Sequence, residues 1–216
     1  MVRRNQILEE AIQIVGQRGS NGFTVQELAQ RCGLSNAGLL YHFGSREQLL
    51  LATLQELERR EIRIIQPFVR AAEEELKRRK PSRRKLLQLL HTMVMRGSIH
   101  LELGLPFMVL QAEALERGHP AYPYFRSRDE KVLDLFTRLA APHVECPEST
   151  ARQLLALMDG FAQQWVRSNR SFDLVAEWDR AVATVTGGTT ESMRVAASDG
   201  SGGSPRRAAR RAPRRR

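Results

Sequence analysis

Asn36, Tyr41 and His42 belong to a short run, SNAGLLYHF from Ser35 to Phe43, that mixes hydrogen-bonding side chains with apolar ones. If the run is helical, Leu39 and Phe43, four apart, share one face. That leaves Asn36, Ala37, Gly38, Tyr41 and His42 to point outward or sideways. A hydrogen-bonding face opposite an apolar one suits a helix laid into the major groove of a duplex. Asn36 is the strong base-reading side chain at the helix start, with adenine its usual partner. Ala37 and Gly38 offer contact only, so part of any sequence preference would come from duplex shape.

Such a helix works only if something holds it at a fixed angle, and the preceding residues supply this. Thr24 can cap a first helix while Glu27, three residues on, reaches back to it, with Phe23 and Leu28 placed as a hydrophobic staple. Leu28 and Leu39 are expected to face each other, Ala29 is small where the helices cross, and Gly33 gives the sharp turn its left-handed backbone. Ser35 caps the second helix. Ser45 and Gln48 repeat the capping signature, so a third helix starts at once with Arg46 in its first turn, where free amides and a guanidinium suit a phosphate. The same spacing also serves an ordinary αα-hairpin inside a helical protein.

The first fifty or so residues carry an apolar helix, then GF-T, LA, G-L-S and L-x-x-HF-x-S-x-E-x-L-L. In this they resemble the DNA-binding domain of the tetracycline-repressor (TetR) family of bacterial regulators. The resemblance implies an all-α chain, with a three-helix helix-turn-helix domain over residues 1–50 and a helical ligand-binding and dimerisation domain over 51–188. It also implies a homodimer on a double-stranded operator, with repression relieved by a small-molecule effector. Carried over by position, Thr24, Tyr41, His42 and Arg46 match places that touch the DNA backbone, and Ser35, Asn36, Ala37 and Gly38 match the helix start that reads bases. Leu40, Gly44 and Arg46 stand where an aromatic, a proline and a lysine are common.

The chain has 216 residues, 42% of them hydrophobic, and a formal net charge of +10. That charge is unevenly placed. Residues 187–216 hold a net +6, whereas residues 1–50 hold only +1, so the case for a duplex partner rests on geometry rather than bulk charge. Residues 189–216 have almost nothing to bury and are expected to be a disordered Arg-rich tail. Its seven arginines after Pro205 could slide along phosphates, or could simply reflect an arginine-biased composition. No apolar run approaches a membrane span, and acidic residues interrupt the N-terminal apolar stretch, so a cytoplasmic protein without a membrane partner is expected. Cys32 and Cys146 are far apart and read as two small buried residues, with no metal site signalled.

Further along, a long helical pattern from Ser45 is expected to end or kink at Pro67 and to join head to body. The charged blocks over 68–85, Glu73 to Glu75 included, read as a solvated face and loop. A helix from Lys85 to Leu103 should break at Gly104 and Pro106, with another over Phe107 to Leu115. Two final helices carry apolar stripes. Leu154, Gly160, Trp165, Trp178 and Val182 are the dimer-interface candidates implied by the resemblance, the alternative being that both stripes pack inward. The resemblance also implies a ligand pocket, with Met93, Phe107, Met108, Leu110, Phe136, Met158 and Phe161 as apolar walls, and Gln111 among its polar candidates beside His91, Arg96, Glu113 and Gln163. No GxSxG, P-loop, HExxH or GxGxxG motif occurs, and the five histidines are scattered. No catalytic residue, cofactor or metal is therefore assigned.

Overall fold

Helix-compatible spacing of apolar residues runs through the chain, and helices are what form. A computed structural model describes residues 2–22, 24–78 and 82–187. Phe23, Pro81, Gly188 and the Arg-rich segment 189–216 lie outside the described residues. The helices are α1 (Val2–Arg18), α2 (Val25–Arg31), α3 (Asn36–Phe43), α4 (Arg46–Leu76), α5 (Arg83–Ile99), α6 (Leu101–Glu113), α7 (Tyr122–Ala140), α8 (Pro147–Arg167) and α9 (Leu174–Val185), with a short 3-10 turn, Ser20–Gly22, between α1 and α2. The described residues contain no strand.

Two apolar cores divide the work. The first joins α1 to α4 through Ile7, Ala11, Ile14, Leu28, Leu39, Leu49 and Leu54, and it continues into Phe107 and Leu110 of α6 and Phe125 of α7. The second lies between α5, α7, α8 and α9 around Leu87, Leu90, Phe136, Leu154, Trp178 and Val182. The head is thus packed onto the body by a shared core as well as by the shared helix α4. Where α1 crosses α6 the backbones come close. A Cβ added at Gly16 would stand 2.9 Å from Cγ of Pro106, so a glycine is needed there.

Several expectations are corrected. Helix α4 runs through Pro67 to Leu76 without ending. Pro67 and Arg63 are exposed, so the carbonyl released by the missing amide can be hydrated, which removes part of the penalty. The body's break comes at His100 (φ −106°, ψ 47°), and Gly104 and Pro106 lie inside α6. Helices α5 and α6 meet at 97° there. Among the described residues no single helix is long and apolar enough to cross a membrane. Glu75 is buried at 5% exposure rather than solvated. Its carboxylate accepts from the backbone N–H of Ser82 at 2.8 Å and meets Lys85 at 3.2 Å. The Ser82 amide, with help from the Lys85 ammonium, holds that carboxyl below its ordinary range. Cys146 is exposed, ahead of α8, while Cys32 is buried.

Candidate nucleic-acid interface and ligand cavity

The hairpin is built from its caps. Thr24 Oγ1 accepts from the Glu27 amide at 3.1 Å, Ser35 Oγ from the Gly38 amide at 3.0 Å, and Ser45 Oγ from the Gln48 amide at 3.1 Å. The reciprocal half of the first box differs from expectation. The Glu27 carboxylate meets Arg18 at 2.5 Å and Arg31 at 3.5 Å, charge-assisted partners that outcompete a backbone amide. Gly33 has φ +64°, the left-handed turn that lets α3 leave α2 at a steep angle. Leu28, Ala29, Leu39 and Phe43 are buried beneath it, and the Arg4 guanidinium lies 4.9 Å from the Phe43 ring centroid.

Opposite that buried face, Ser35, Asn36 and Ala37 are exposed and Gly38 and His42 half-exposed. Tyr41 is 88% exposed, its ring edge-on to His42 at 5.7 Å. Thr24 is exposed on the same hairpin. Arg46 sits differently: it donates to the Ser20 carbonyl at 2.6 Å and to Asn21 Oδ1 at 3.2 Å. From the other side both oxygens of Glu113, at the end of α6, accept from the Ser20 amide at 3.0 Å. His119 Nε2 lies 3.3 Å from Ser20 Oγ. The short 3-10 turn is therefore gripped by the first turn of α4 and the last turn of α6.

A cavity of about 420 Å³ opens in the body between α4, the α5–α6 corner, α7 and α8. Of the candidate wall residues, Met93, Phe107, Met108, Gln111, Met158 and Phe161 line it. Phe136 and Leu110 do not: both are buried in the cores, Phe136 between α7 and α8 and Leu110 against the head. Of the polar candidates Arg96 joins the lining. His91 pairs with Asp179 at 2.9 Å, Glu113 holds Ser20, and Gln163 is exposed. Residue patterns missed the acidic part of this wall, Glu58, Glu61 and Asp159, together with Tyr124 and Arg128. Asp159 was the visible signal, a lone charge in the apolar run ALMDGF.

Burial pushes the Glu61 carboxyl above its ordinary range, with Arg128 pulling the other way. Burial does the same to Asp159, opposed by Arg128 and by the Gln111 amide, which donates to it at 3.0 Å. Burial and the adjacent Glu58 and Glu61 also raise Tyr124. Of the dimer-interface candidates, Leu154, Trp178 and Val182 are at most 1% exposed and belong to the chain's own second core. They have no surface to offer a partner, so the inward alternative holds for them. Trp165 lines the cavity and donates to the Phe172 carbonyl at 3.0 Å. Gly160 lies in a shallow groove on the outside of α8 with Gln153, Ala156, Leu157 and Gln164, and Val185 of α9.

Residues 7–53 match the family model described as bacterial regulatory proteins, tetR family. This stretch is a head of the tetR type. The head is 39% identical over 56 residues to the transcriptional regulator BetI of Rhizobium meliloti, and 40% over 58 residues to BetI of Brucella anthropi. Those matches span 26% and 27% of this chain and only 28% and 30% of the relatives' length. The fold as a whole is similar to that of a TetR-like transcriptional regulator from Rhodococcus sp. RHA1, with a TM-score of 0.65 at 19% identity over 85% of this chain and 93% of that one. It is also similar to SmeT in its triclosan complex, with 0.64 at 17% identity over 86% and 90%. SmeT is the repressor of the Stenotrophomonas maltophilia multidrug efflux pump SmeDEF. At these identities the likeness carries the fold alone.

Proposed function

We propose that the protein is a sequence-specific DNA-binding transcriptional regulator, a homodimeric repressor released from a near-palindromic operator by a small molecule held in the body cavity. The observation that carries this reading is the polar face of α3, displayed to solvent on a rigid, capped hairpin. Asn36, Ala37 and Gly38 approach base edges in the major groove, and Thr24, Tyr41 and His42 fix register on phosphates. Arg46 braces the turn beside them.

Release follows from α6. One stretch of it, Phe107, Met108 and Gln111, lines the cavity. Another touches the head, through Pro106 at Gly16 and Glu113 at Ser20. An occupant that fits better when α6 is displaced shifts the pair of heads away from the operator spacing. The test is selection of bound sequences from a random duplex pool with the full-length protein. An inverted repeat is expected. Recovery of no common sequence, or loss of all affinity on deleting residues 198–216, would overturn the reading in favour of non-specific binding by the tail.

A further inference from the structure

The cavity's lining carries three carboxylates and three fixed cations, but the two signs are placed differently along its apolar walls. Glu58 and Glu61, three apart and so on one face of α4, and Asp159 of α8 all border it. Against them stands Arg128 of α7, which is already held on two sides. Its guanidinium lies 4.6 Å from the Phe107 ring centroid and 3.4 Å from the Asp129 carboxylate. Arg96 and Lys131 also border the cavity, but both are exposed, where water screens them. The inner wall therefore holds more carboxylate than cation. Burial dominates at both Glu61 and Asp159, and Arg128 is the cation acting on each. Each carboxyl is short of positive charge.

What would supply that charge is constrained by the rest of the wall. Among the described residues no group of His, Cys, Asp and Glu is arranged to hold a metal ion. The volume, about 420 Å³, is in the range of small-molecule sites rather than of a single ion. The aromatic side chains of Tyr124, Phe161 and Trp165 border the same space, and aromatic rings attract cations. At the α5–α6 corner Ile99 is 60% exposed and on α4 Ile62 is 41% exposed, and Ile62 is on the rim.

We propose that the effector is a lipophilic organic cation, its charge between Glu61 and Asp159 and its apolar body against Phe107, Phe161 and Trp165. A neutral guest leaves the carboxyls as they are. An anion adds to the like charge already there. The inference rests on the reading of this cavity as the effector site.

The two tryptophans of the chain, Trp165 and Trp178, both border the cavity, so intrinsic fluorescence reports directly on its occupancy. The experiment titrates the full-length protein with tetraphenylphosphonium and with tetraphenylborate, close in shape and opposite in charge, in sodium buffer. The phosphonium is expected to quench saturably and to bind the more tightly, although the chain's net charge of +10 favours the borate. In Glu61→Gln with Asp159→Asn its affinity should fall roughly tenfold or more. The borate's should not fall. Each single variant, with its melting curve, serves if the double variant misfolds. Equal or tighter binding of the borate, or unchanged phosphonium affinity in the variants, overturns the charge assignment. Operator release separates the two readings. If the borate alone quenches and releases operator, the effector site stands and its cation preference falls. If the phosphonium binds with the expected variant dependence and releases nothing, the cation site stands and its effector role falls. If neither quenches, both fall.

Discussion

Asn36 leaves α3 in its first turn, exposed and one residue beyond the Ser35 cap. Its loss should cost recognition without costing fold. Asn36→Ala is expected to weaken binding to the selected operator by about 1–3 kcal/mol and to relax preference at one base position. The melting temperature should stay the same, because nothing buried changes. Fluorescence anisotropy on operator and scrambled duplexes, with a melting curve, checks both. At this scale the hairpin was legible in the residue types. Threonine and serine three residues before a free amide, and glycine where φ must be positive, are local rules that act within a few residues. Partners distant in sequence were not legible. That Arg46 reaches Ser20 and Asn21, that Glu27 pairs with Arg18, and that Glu75 is buried over the Ser82 amide depend on how helices meet. No spacing rule contains that information.

Helix α6 does two jobs at once, bordering the cavity with its middle and holding the head with its end. Ser20 is almost fully buried, so removing the carboxylate that accepts from its amide leaves that N–H without this acceptor. Glu113→Ala is therefore expected to lose about 1–3 kcal/mol in urea unfolding. Operator affinity should fall with it, because the turn that steadies α2 loosens. A second link between elements is His91 of α5 with Asp179 of α9. The hydrogen bond to Asp179 holds His91 above its ordinary value of 6.5. The pair's contribution is then full below pH 6.5 and fades as pH rises through the higher folded value. Melting curves across pH should show wild type losing ground to Asp179→Asn on going from acid to alkaline conditions. Helix limits were the weakest part of the sequence reading, for a physical reason. Pro67 and Pro106 look like breakers, yet the first faces water and the second packs on Gly16, so tertiary context decides whether a missing amide ends a helix.

For the whole molecule, the proposed homodimer needs a surface that joins two copies. The stripe of largest apolar residues in α8 and α9 is spent inside the chain, because a helix apolar on more than one face gives no sign of which face meets its own core. What remains outside is the shallower face of α8, Gln153, Ala156, Leu157, Gly160 and Gln164, with Val185 of α9 beside it. Small residues there allow a second α8 to approach closely, as a two-fold interface requires. Gly160 isolates the effect, since a Cβ added to it meets nothing within 4 Å and the monomer's packing is untouched. Wild type is expected to sediment at twice the chain mass of 24.5 kDa, and Gly160→Arg as a monomer with an unchanged circular dichroism spectrum. Two heads that are no longer joined lose the high local concentration of the second on the first. Affinity for the full inverted repeat should then fall by about 10²- to 10⁴-fold, while affinity for an isolated half-site stays the same. A Gly160→Arg protein that still sediments as a dimer and holds the full repeat would place the interface elsewhere on the body.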